Sequence, residues 1–68
     1  MKIEHIIDRI NNYTEYHRFS TEEFCRLAGI DIYVLNKIIN REHYVSLHDY
    51  KKIAFLLDMD LLDLLSIT

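Results

Sequence analysis

The chain has no proline, a single glycine, a single cysteine and no apolar run longer than Ile53–Leu57. Each scarcity excludes something. Without proline or a Gly/Ser-rich stretch no segment has linker composition, so the 68 residues are expected to form one domain, 1–68. A domain of this size buries only about 60% of its unfolded surface, so its core has to be used efficiently. The longest apolar run falls far short of the roughly 20 residues of a membrane helix. The N-terminus Met1-Lys2-Ile3-Glu4-His5 carries no signal-peptide pattern, and a cytoplasmic, non-membrane location is expected. Cys25 cannot form an internal disulfide and has no Cys or His at metal-ligand spacing, so it reads as a small buried residue. The histidines His5, His17, His43 and His48 include no pair at the i, i+4 spacing of helical zinc sites. No nucleophile, base and orienting group assemble in the sequence, and there is no glycine-rich phosphate loop. No catalysis, metal or cofactor is expected.

What is present is helix chemistry. Ile3, Ile6, Ile7, Ile10 and Tyr13 recur at three- and four-residue steps, which predicts a helix with one buried face from about Lys2 to Tyr16. Four later starts share one pattern, a polar cap flanked by apolar residues. Ser20 has Glu23 as capping-box partner and Phe19 and Phe24 as staple. Asp31 lies between Ile30 and Leu35. Ser46, with Asp49, lies between Val45 and Tyr50, and Asp60, with Asp63, between Met59 and Leu64. Leu47, Tyr50, Ile53, Ala54 and Leu57 mark the buried face of the fourth helix, and no segment alternates as a half-buried strand does. Tyr13 and Tyr50 are expected to pack in the core with their hydroxyls near water. The fold class is all-α, a compact five-helix domain.

The only glycine, Gly29, stands where the second helix has to stop and Asp31 has to cap a third. That spacing is a helix-turn-helix over about 20–40. Small Cys25 permits the close crossing of the two helices, while Leu35 and Ile38 face back into the domain. With Phe24, Ala28 and Ile30, these residues resemble the Cro/C1-type helix-turn-helix family of phage repressors and bacterial transcriptional regulators. The resemblance covers Ser20 to Leu47 without gaps and extends through the fifth helix, implying a lambda-repressor-like fold with the motif in helices 2 and 3. After the third helix, Arg41 stands where the family has glycine and Val45 where it has proline. Arg41, or Asn40 before it, is therefore expected to adopt a left-handed conformation.

The resemblance implies double-stranded DNA as partner and a Cro-like repressor that binds a short inverted repeat as a homodimer. It places Ile32, Tyr33, Asn36 and Lys37 at base edges. Thr21, Asn40, Arg41, Tyr44 and Lys52 are the candidates for backbone contacts. Only Asn36 and Lys37 belong to the residue types that read a base bidentately; Ile32 suits a thymine methyl, and Glu22 beside Thr21 works against phosphate binding. The net charge of −3 opposes a polyanionic partner, yet residues 1–56 hold every Lys and Arg and are neutral overall. The surplus acids are Asp58, Asp60 and Asp63. The apolar C-terminal segment either completes the core or forms a dimer interface, with Leu61, Leu64, Leu65 and Ile67 as its candidates. An alternative function is a protein-binding module of the same fold, an antirepressor or other inhibitor acting through helix 3 or the apolar end.

Overall fold

In the computed structural model, residues 3–42 and 45–65 are described, and among them the chain forms α1 (Ile3–His17), α2 (Thr21–Ala28), α3 (Ile32–Ile39), α4 (Leu47–Leu56) and α5 (Leu61–Leu64). The first helix thus ends one residue later than its apolar spacing suggests. α3 packs on α1 and α2, and α4 packs on α2 and α5. The common core takes Ile3, Ile6 and Ile10 from α1, Phe24 and Cys25 from α2, and Leu35 and Ile38 from α3. Tyr50, Ile53 and Ala54 from α4, Leu64 from α5 and Ile30 from the turn complete it. Burial of each large aliphatic side chain contributes about 1.5–3 kcal/mol, which orients the short helices that could not stand alone.

The caps vary in completeness. At Ser20 the box is closed: Glu23 N–H donates to Ser20 Oγ (3.1 Å) and Ser20 N–H donates to Glu23 Oε1 (2.9 Å). The backbone N–H of Ser20, then its side chain, holds the Glu23 carboxyl below its ordinary value. Phe19 and Phe24, expected as a staple, both pack on Tyr13, with ring centroids 6.1 and 5.9 Å away. At Ser46 the hydroxyl accepts from Asp49 N–H (3.2 Å) and donates to Asp49 Oδ2 (3.1 Å). Asp49 is one methylene shorter than glutamate, and its carboxylate meets the hydroxyl in place of the backbone N–H. Asp60 makes no side-chain cap bond. The single turn of α5 is held by Leu64 in the core.

Four helices end alike. Arg18, Gly29, Arg41 and Asp58 have φ of 58°, 77°, 62° and 58°. After each, the next N–H reaches back to a carbonyl five residues earlier: Phe19 to Thr14, Ile30 to Cys25, Glu42 to Lys37 and Met59 to Ala54, at 2.9–3.0 Å. These are Schellman-type stops that satisfy the terminal carbonyls. The left-handed residue after α3 is Arg41, while Asn40 stays at φ −82°.

Three expectations about the core need correction. Leu64, a candidate for the dimer interface, is fully buried within the domain and closes the core beneath α5. Leu47 is 63% exposed: it opens α4 one turn before Tyr50, where the core contacts on that helix begin. The Tyr50 hydroxyl does not reach water but is buried without a hydrogen-bond partner, because the whole ring is drawn inside. That burial also pushes its phenol pKa up.

Candidate nucleic-acid interface

The exposed face of α3 follows from what its two ends and its inner face are tied to. At the N-terminal end, Gly29 adopts φ 77° and ψ 30°, and its N–H donates to Cys25 O at 2.9 Å. A side chain at Gly29 would meet open space, so the requirement for glycine lies in the backbone alone. Asp31 then caps α3, its Oδ1 accepting from Tyr33 N–H at 2.9 Å. Leu35 and Ile38 anchor the inner face with no exposure to solvent.

The outer face carries the residues assigned to base contacts. Ile32 is 40% exposed, Tyr33 64%, Asn36 is exposed and Lys37 half-buried. Lys37 lies over the Tyr33 ring, with Nζ 4.8 Å from the centroid. The i, i+4 spacing allows that contact, and the ring face attracts the ammonium. The sequence places both residues on one face of α3, and the structure adds that the Tyr33 ring supports the Lys37 ammonium.

The candidates for backbone contacts are less uniform. Thr21 is the exposed first residue of α2, in a first turn that also carries Glu22 and Glu23. Asn40 is exposed at the end of α3. Arg41 is engaged within the protein: Nε and Nη2 donate to the two carboxylate oxygens of Glu4, the latter at 2.8 Å, and Nη1 donates to Ile39 O at 3.1 Å. The Arg41 hydrogen bond, ahead of its charge, holds the Glu4 carboxyl below the usual range, and the same pairing raises the guanidinium pKa. Lys52 reaches across from α4, its Nζ donating to Gly29 O at 3.2 Å, so it ties the turn before α3 to α4. Tyr44 lies outside the described residues, as does Ile67.

Of the remaining interface candidates, Leu61 and Leu65 are half-buried against the core. The large exposed apolar residues near that end are Phe55 and Leu62, neither singled out from the sequence. The helical period of α4, which put Ile53, Ala54 and Leu57 on the buried face, left Phe55 off it, but nothing in the sequence marked so large a ring as a surface feature. Among the described residues, no group of three or more His, Cys, Asp or Glu is placed to hold a metal ion, and no helix is long and apolar enough to cross a membrane.

Comparison with known proteins matches residues 9–68 to the Cro/C1-type HTH DNA-binding domain. No curated protein and no solved structure matches the chain.

Proposed function

Since the chain belongs to the Cro/C1-type helix-turn-helix DNA-binding family, we propose that it is a Cro-like transcriptional repressor that binds a short inverted repeat as a homodimer. The observation that carries this reading is the fixed outward face of α3, with Asn36 and Lys37 on it and Leu35 and Ile38 locked beneath. In this arrangement α3 lies in the major groove. Asn36 pairs with adenine N6 and N7, Lys37 donates to guanine O6 and N7, and Ile32 meets a thymine methyl. Tyr33 supports Lys37 and offers its hydroxyl to a base or phosphate. Thr21 and Asn40 position the backbone, as do the Arg41 N–H groups that Glu4 and Ile39 leave uncommitted. Two copies of α3 reach successive major grooves about 34 Å apart, and occupancy of the site excludes polymerase.

Few cations face the DNA in this reading, since Arg41 is paired and Lys52 serves the turn. Affinity therefore depends on base contacts more than on charge, and the salt slope is that of few phosphate contacts. A selection from a random duplex library, followed by a salt series on the recovered sequence, tests the proposal. The expected result is an inverted repeat whose affinity falls with salt. Recovery of no sequence, with no binding at low salt, would reject it. The exposure of Ile32 and Tyr33 favours a second reading, a protein-binding module working through α3, and that same negative result would support it.

A further inference from the structure

The outer stripe of α4 and the stop that follows it carry charge in a definite order. His48, Lys51 and Lys52 come first, Phe55 follows one turn later, and Asp58 stands just past the end of the helix, at the left-handed position of its stop. Phe55 is 88% exposed, a large aromatic ring left in water on the outside of a small domain. It also lines two adjoining depressions. One, of about 300 Å³, is mainly apolar and is formed by Leu27, Ala28, His48, Lys51, Lys52 and Phe55. The other, of about 490 Å³, is formed by Phe55, Met59 and the three surplus acids Asp58, Asp60 and Asp63. A basic-rimmed apolar groove and an acid-rimmed depression thus share a single aromatic wall.

This order is complementary to its own reverse. When two copies of α4 meet antiparallel about a two-fold axis near Phe55, the basic rim of each faces the acidic rim of the other. Each Phe55 then has the partner's Leu27-lined groove within reach. Such self-complementarity is what an isologous interface requires, and an aromatic anchor inside a charged rim is the usual anatomy of one. A parallel arrangement sets like charges against each other. We propose that the occupant of this surface is a second copy of the chain, docked antiparallel through α4 with Phe55 as anchor. The proposal rests on the dimeric reading above and relocates its interface from Leu61, Leu64 and Leu65 to the α4 stripe.

The test is the mass of the DNA-free protein by light scattering or sedimentation over a concentration series. The parent chain is expected to approach twice its 8.2 kDa mass, and Phe55→Ser to weaken self-association by at least about tenfold, with unchanged helical circular dichroism. Lys51→Glu and Asp63→Lys, both at exposed positions, are each expected to weaken it as well. In an equimolar mixture of those two variants the mixed pair has opposite charges at positions 51 and 63 on both sides of the axis, and the dimer is expected to recover. A monomeric parent, a Phe55→Ser variant that dimerises like the parent, or a mixture no better than its components would overturn the proposal. DNA binding measured alongside separates the two readings. A monomer that still binds its inverted repeat removes this interface and leaves the DNA reading in place, whereas a dimer that ignores DNA does the opposite.

Discussion

The two ends of α3 have the same backbone turn built from different materials. Before the helix, the left-handed position is Gly29, and everything that fixes the turn is close in sequence, from Cys25 to Asp31, apart from the Lys52 contact. After the helix, the left-handed position is Arg41, which has a Cβ to accommodate at φ 62° and is held by Glu4, 37 residues earlier. Local chemistry thus secures the end that leads into the exposed residues Ile32, Tyr33 and Asn36, and a tertiary ion pair secures the other. The leading end of α3 is defined by residue type, and its trailing end by the packing of α1 against α3.

Removing what the two ends share has the largest effect. Leu35→Ala opens a cavity in the fully buried layer beneath α3 and is expected to cost about 2–5 kcal/mol, measured by urea unfolding. That is a large share of the stability of a domain this small. Gly29→Ala comes next, at about 1–2 kcal/mol, because the φ of 77° disfavours any Cβ even though the space around it is open. At the other kind of stop the sign reverses. Arg18→Gly is expected to stabilise by about 0.5–1 kcal/mol through relief of its left-handed backbone. Arg41→Gly should gain less than Arg18→Gly in the same urea series, since it also loses the Glu4 contact. If the two arginine variants respond equally, Glu4 does not secure the trailing end.

The smallest effect separates the two ends by pH. The folded-state pKa of Glu4 is depressed by Arg41, so its contribution is complete above the usual glutamate range and disappears as pH falls through the lowered value. Glu23 acts in the same direction at the α2 cap. Acidification from about pH 7 to about pH 3 should therefore lower the thermal midpoint in the parent, and lower it less in Glu4→Gln. Both side chains of the pair are more than half exposed, so the difference is small.

The same contrast explains what the sequence disclosed. Ser20, Gly29 and Asp31 were legible because each acts on residues within a few positions and belongs to a type that does little else. Arg18, Arg41 and Asp58 make the same stop without the residue that marks it; only the family comparison drew attention to Arg41. The Glu4–Arg41 pair and the Lys52–Gly29 bond join residues 37 and 23 positions apart and leave no periodic trace. At the C-terminal end, apolar composition could not separate the buried Leu64 from the 82% exposed Leu62. On α4 the helical period carried the core face but not its limit, which left Leu47 outside and drew the Tyr50 hydroxyl inside.

If the outward face of α3 reads DNA, as proposed, the affinity of Asn36→Ala and Lys37→Ala for the selected inverted repeat and for random duplex is where it shows. Each variant is expected to lose about 1–3 kcal/mol on the repeat, roughly 5- to 150-fold, and to lose discrimination at one base pair of each half-site. Binding to random duplex should change far less for Asn36→Ala, which removes no charge. Unchanged affinity for the repeat in both variants would contradict the claim.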